Sequence, residues 1–220
     1  MNTRRKILAG AAAAGVAANL GWAGRLLAAD RIAGGVRTVS GDVAVNGNAA
    51  TPGTQVRAGD SVVTGPNGDV VFVVGRDAFM IRPDSRVELL KRANSPLLTG
   101  LRVLSGRILS VFSPGRRREI QSVTATIGIR GTAVYVEADA DKTYVCTCYG
   151  TVVVASRGDP SARETIRTKH HDQPRYVMAS GAPQMLMGAP VVNHTDAELA
   201  LLEGLVGRRP PFGSSPPYRY

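Results

Sequence analysis

The chain has 220 residues, 44% of them hydrophobic and 5% aromatic, and a formal net charge of +10. Domains run roughly 100–200 residues, so this length holds one core with a small appendage and excludes a multi-domain machine. Its 25 Gly and 13 Pro stay below the share of roughly 25–30% that marks a low-complexity chain, and two cysteines exclude a disulfide-stapled scaffold.

The chain opens on Thr3-Arg4-Arg5-Lys6-Ile7-Leu8, followed by an uncharged Ala- and Gly-rich stretch from Ala9 to Ala23. Residues 1–29 therefore read as a twin-arginine export signal: Arg4 and Arg5 form the basic start, and the stretch that follows is a mildly apolar core. Cleavage near Leu27-Ala28-Ala29 is expected, and an uncut signal would act as an anchor. The expected location is periplasmic or secreted. No later stretch reaches the roughly 18 apolar residues of a membrane span, so none is expected once the signal is removed.

The signal carries Arg4, Arg5, Lys6 and Arg25 and no acid, so its loss brings the net charge from +10 to +6. Much of the remaining excess lies in Arg116-Arg117-Arg118, in Arg163 to Lys169 and in Arg208-Arg209. Aromatic stacking residues are not interleaved with these runs, which argues against nucleic acid as a partner and leaves an anionic envelope polymer as the charge-matched alternative.

From Val36 to Val154 short runs of Val, Ile, Thr and Leu alternate with Gly-Asp, Asn-Gly and Pro-containing breaks, the grammar of an all-β domain. Pro66-Asn67-Gly68-Asp69 suggests a tight hairpin. Asp69 to Val74 is an almost continuously apolar strand, and Leu101 to Val111 alternates about Gly106. Val123, Ala125, Ile127 and Ile129 share one face. The alternation slips at Gly131, which predicts a bulge there.

These segments resemble the FecR domain. Val56-Arg57-Ala58-Gly59-Asp60 through Gly68 is similar to its opening turn and strand, and Pro83-Asp84-Ser85-Arg86-Val87 to a later turn. Val103 to Ile108, around Gly106, is similar to its Leu-x-x-Gly strand; Ile127 to Val136, with Gly131 and Thr132, to its most specific segment; and Gly150-Thr151-Val152-Val153-Val154 to its closing strand. The resemblance implies a structural role for Gly59, Asp60, Gly68, Gly106, Gly131, Thr132 and Gly150. It also implies a β domain over 36–156, a short β-helix, roll-like stack or sandwich, used in the periplasm for sensing and protein contact. The best-known members of that family relay receptor occupancy to a cytoplasmic sigma factor. Here an export signal stands where their cytoplasmic and spanning regions would be, so no sigma-factor contact is expected and another envelope protein is the expected partner. Ile127 to Thr132 is not a phosphate loop, because its glycines punctuate β-branched residues and no helix follows.

Cys146 and Cys148, in Tyr144-Val145-Cys146-Thr147-Cys148-Tyr149, are two residues apart and would share one face of a strand. Their Cα separation of about 6.5–7 Å would strain a disulfide. His170, His171 and His194 are the chain's three histidines. Two thiolates with one or two imidazoles suit zinc or copper(I), and only one of the adjacent His170 and His171 could point at such an ion from a regular strand. A strained disulfide, a thiol-redox pair or simple packing of the two buried thiols are the other readings.

The segment 157–207 forms a C-terminal extension. Within it Thr195-Asp196-Ala197-Glu198 is a capping box opening an amphipathic helix over about 196–206, with Leu199, Leu202 and Leu205 or Val206 on one face. Residues 208–220 read as a disordered tail. Neither a nucleophile elbow nor a His-Glu-x-x-His motif occurs, so the chain is not read as an enzyme. The leading reading is a non-enzymatic sensing, protein-binding or scaffolding module. The alternatives are a metal-binding or thiol-redox protein, and a binder of anionic envelope polymer.

Overall fold

The structure, a computed structural model, describes residues 34–212. The expected export signal with Arg4 and Arg5, and the end of the expected tail from 213, lie outside the described residues. As the turn-punctuated sequence predicts, the described residues are mostly β with one C-terminal helix, and their strands make one open mixed sheet. The strands are β1 (Gly35–Ser40), β2 (Val43–Val45), β3 (Asn48–Ala49), β4 (Ser61–Thr64), β5 (Asp69–Val74), β6 (Asp77–Ile81) and β7 (Arg86–Lys91). They continue with β8 (Leu98–Val111), β9 (Arg117–Gln121), β10 (Ala125–Ala138), β11 (Lys142–Ser156), β12 (Arg163–Thr168), β13 (Arg175–Met178) and β14 (Leu186–Gly188), before helix α1 (Asp196–Leu205).

Three long strands organise the sheet by changing partners midway. β8 pairs with β7 over its first part, then with β6 and β10 from Gly106 onward. β10 pairs with β9 up to Arg130 and with β8 from Ala133, while β11 pairs with β13 at its start and β12 at its end. The change in β10 sits at the predicted irregularity, where register slips between Arg130 and Ala133. Two glycines make this bend: Gly131 (φ +49°) and Gly150 (φ +97°) hold left-handed conformations. A Cβ at Gly131 would lie 2.7 Å from the Pro114 Cα, and one at Gly150 would lie 2.6 Å from the Thr132 Cβ, so neither position accepts a side chain without backbone movement.

Two expectations are corrected. Pro66-Asn67-Gly68 joins β4 to β5, but those strands do not pair: β4 lies between β2 and β7, and β5 between β1 and β6. The turn is a crossover, pinned by the Gly65 N–H donating to the Asp42 carbonyl at 2.8 Å. A true two-residue hairpin instead joins β5 to β6 through Gly75-Arg76. Val123 is half exposed and precedes β10, so it does not share the buried face of Ala125, Ile127 and Ile129.

The apolar run of β5 follows from burial on both faces. Val70 and Phe72 join the main core with Phe79, Ile81, Ile108, Val134, Val136 and Val145. Val71 and Val73 join a second cluster on the opposite face with Met80, Leu109, Tyr135, Tyr144, Cys146 and Cys148. Helix α1 closes this second cluster with Leu199 and Leu202, followed by Val206. A ten-residue helix is marginal alone. Burial of each large side chain contributes about 1.5–3 kcal/mol, and the Thr195–Glu198 capping box closes the helix N-terminus. Arg82 ties the helix to β6 by donating to Glu198 at 2.7 Å and to the Asn193 carbonyl at 2.9 Å.

Candidate metal centre

The second cluster contains the polar centre of the molecule. Alternation along β11 sends Tyr144, Cys146 and Cys148 to the face covered by α1, and both cysteines are free thiols with no solvent exposure. His171 arrives from the turn after β12. Thr168 and Asp172 lock that turn: the Thr168 hydroxyl donates to Asp172 Oδ2 at 2.8 Å and accepts from the backbone N–H of Asp172 at 3.1 Å. His171 has a left-handed backbone (φ +51°), and its N–H donates to the Cys148 carbonyl at 3.0 Å. That conformation separates two adjacent rings, sending His171 inward and leaving His170 nearer the surface. His194 comes from the segment just before the helix N-cap, its ring stacked on Tyr135 with centroids 4.5 Å apart.

The structure thus brings Cys146, Cys148, His171 and His194 together, all buried, with their potential ligand atoms within 4.8 Å of one another. Cys146 Sγ lies 3.4 Å from His171 Nδ1, and His194 Nε2 lies 3.0 Å from the same nitrogen. The outer nitrogens are held by acceptors: His194 Nδ1 donates to the Val192 carbonyl at 2.6 Å and His171 Nε2 to Asp196 Oδ1 at 3.2 Å. In neutral rings so oriented, His194 Nε2 and His171 Nδ1 present lone pairs to one another and to the thiols. Such a group is satisfied by a proton or by a cation between them. His170 stands apart from the thiols; its Nε2 meets Asp196 Oδ1 at 2.8 Å and its ring stacks on Phe212.

The electrostatics agree with this geometry. Burial pushes the Cys146 thiol up, but hydrogen bonds with Cys148, His171 and His194 and the charge of His194 outweigh it, holding Cys146 well below the usual thiol range. Burial and the neighbouring Cys146 push Cys148 well above that range. Burial alone would lower His171; Cys146 and Asp196 raise it instead. The two directions are complementary: Cys146 is made more acidic and the adjacent His171 more basic.

Asp196, Tyr135 and the Val192 carbonyl belong to this site and escaped sequence reasoning. Asp196 reads there only as a first-turn helix acid, and nothing local marks its second role of orienting His170 and His171. A cleft of about 790 Å³ bordered by Tyr149, His170 and Phe212 lies beside the centre. At its edge the Tyr149 hydroxyl donates to Glu203, which also holds Arg208 at 2.5 Å. Gly106, Gly131 and Gly150 shape the bends of the long strands, with Thr132 buried at the β10 slip. Gly59 and Asp60 form the turn before β4, where Asp60 accepts from the Arg57 N–H at 2.7 Å, and Gly68 packs on the Asp42 carbonyl.

No protein-family model matches the chain, and no curated protein matches it in sequence. Among solved structures, two crystal structures of a candidate anti-sigma factor from Parabacteroides distasonis are similar, each with a TM-score of 0.49 at 10% identity. The similarity covers 66% of this chain and 65% or 64% of that one, so it spans a little under two thirds of the anti-sigma factor's length. The likeness is in chain path alone.

Proposed function

We propose that this chain is an exported, non-enzymatic binding module whose Cys146, Cys148, His171 and His194 hold one thiophilic metal ion. The observation that carries the reading is the convergence of these four buried side chains within 4.8 Å. Around a tetrahedral zinc ion, ligand atoms stand about 3.3–3.8 Å apart, given bond lengths of roughly 2.0–2.3 Å; the two ring nitrogens at 3.0 Å would open slightly and the wider pairs, within 4.8 Å, would close. Two sulfurs and two nitrogens in a closed set favour zinc, with copper(I) the alternative. A full complement of protein ligands suits a structural or sensing site rather than a catalytic one, which keeps an open position.

The hydrogen bonds from His194 to Val192 and from His171 to Asp196 fix each ring's tautomer, as the outer partners of metal-bound histidines do. The FecR-like motif series and the export signal support a periplasmic setting with another envelope protein as partner. In that setting the ion would join β11, the β12–β13 turn and the start of α1, and so set the surface offered to the partner.

The test is metal content by mass spectrometry on protein purified without chelator, with a parallel thiol count and re-addition of zinc. One equivalent of metal, lost in both Cys146→Ser and His171→Ala, is expected. Absence of uptake at micromolar zinc, or uptake unchanged in both variants, overturns the reading.

A further inference from the structure

The other halves of β10 and β11 carry a second feature, independent of the metal centre. Arg117 on β9 faces Arg130 on β10, Arg130 faces Thr151 on β11, and Thr151 faces Arg167 on β12. Residues directly opposite across antiparallel strands lie on one face, so three arginines stand in a single rung, all exposed. The next rung on that face runs Glu119, Gly128, Val153, Thr165, with Gly100 of β8 beside Glu119. A Cβ at Gly100 would collide with the Glu119 carbonyl, so this position keeps the floor low. The result is a groove of about 560 Å³ reaching from Arg92 and Thr99 to Thr165 and Arg167.

Like charges directly opposed across strands are destabilising, and here they lack the usual compensation. Among the described residues, Arg92, Arg117, Arg130 and Arg167 enter no ion pair, whereas Arg82, Arg102, Arg118, Arg175 and Arg208 each hold a carboxylate. The one acid on the groove lining, Glu119, accepts from Gln121.

We propose that this groove binds an acidic polysaccharide. Guanidinium forks match carboxylate and sulfate oxygens, and Thr151 and Thr165, on the same face by register, place hydroxyls among them for sugar hydroxyls. With strands about 4.8 Å apart, Arg130 and Arg167 stand about 10 Å apart, a separation suited to charges recurring along a sugar chain. None of the lining residues is aromatic, so the groove offers no platform for stacking bases, which favours a glycan over a nucleic acid.

The test measures binding of the full exported protein to polygalacturonate, heparin and single-stranded DNA, for the parent and two charge-matched double variants. Arg130→Gln/Arg167→Gln alters the groove. Arg57→Gln/Arg86→Gln removes two exposed arginines elsewhere. Glycan binding that weakens about tenfold or more in the groove variant but not in the control, and falls steeply as salt rises from ~0.05 to ~0.5 M, is expected. Equal losses in both variants, tighter binding of DNA than of either glycan, or no glycan binding at low salt overturns the proposal. Thermal unfolding of both variants establishes that each is folded, and because the groove substitution relieves like-charge repulsion, its midpoint should not fall below the parent's.

Discussion

If Cys146, Cys148, His171 and His194 hold a metal ion as proposed, its binding and the folding of the chain form one equilibrium whose size can be worked out. Cys146 and Cys148 lie on β11, His171 in the turn after β12 and His194 before α1, so only the folded chain presents all four within 4.8 Å. A ligand that binds the native state alone adds RT ln(1 + [L]/Kd), about 2.7 kcal/mol at a hundredfold excess over Kd. For a chain of this size each kcal/mol moves the midpoint about 2–4 °C, so saturating zinc should raise it by about 5–11 °C over the chelator-treated protein. Metal held by cysteines of the unfolded chain reduces the shift without abolishing it. Thermal unfolding followed by circular dichroism reads this directly, and Cys148→Ser should lose most of the shift. Hydrogen exchange adds a local readout: because His194 adjoins the N-cap, amides of Leu199–Leu205 should gain protection on loading. A shift of the same size in Cys146→Ser, Cys148→Ser and the parent would refute the reasoning, as would loading that leaves both midpoint and helix protection unchanged.

Leu202→Ala removes a fully buried helix contact and should cost about 2–5 kcal/mol in urea unfolding; a loss below about 0.5 kcal/mol would mean that α1 does not close the second cluster. Arg118 binds Asp77 Oδ2 through two nitrogens at 3.1 and 2.9 Å, both side chains buried. Arg118→Ala should therefore cost about 3–5 kcal/mol by stranding a buried carboxylate, while Asp77→Asn/Arg118→Met should recover much of that. The hydrogen bonds from Arg175 hold the Glu164 carboxyl below its ordinary value of 4.5. A depressed native value stabilises above the unfolded value and is lost as pH falls through the native one. Arg175→Gln should thus be less stable than the parent at neutral pH, by less than about 1 kcal/mol for so exposed a pair. Urea midpoints of the two proteins should converge in acid.

Fold class was legible in the sequence because its signals are local. Turn residues delimit short strands, a period-2 slip marks the bulge at Gly131, and Thr195 with Glu198 announces the helix. Pairing was not legible. Pro66-Asn67-Gly68 has hairpin chemistry, yet β4 and β5 find partners elsewhere in the chain, a choice made by burial of whole faces rather than by the turn. The arginine rung was hidden for the same reason. Arg116-Arg117-Arg118 reads as one basic run, but alternation sends Arg118 inward to Asp77 and Arg117 outward beside Arg130, and only the register aligns Arg130 with Arg167 across Thr151.

At the candidate metal centre, the i, i+2 spacing of Cys146 and Cys148 places both sulfurs on one face, and that much follows from strand geometry alone. Which histidine joins them depends on a backbone conformation the sequence does not display. In regular strand His170 and His171 would face opposite ways, and the sheet would select one by parity. Here the left-handed φ of His171 and the Thr168–Asp172 turn select it instead. Asp196 then contacts both rings, so one carboxylate at the start of α1 orients a ligand from a turn more than twenty residues earlier. Replacing Asp196 with Asn keeps an acceptor but removes the charge. It should weaken metal affinity by the 10- to 100-fold typical of such outer partners while leaving the helix cap, which uses Thr195 and Glu198, intact. Unchanged affinity in a folded Asp196→Asn protein would show that the rings are positioned by packing alone.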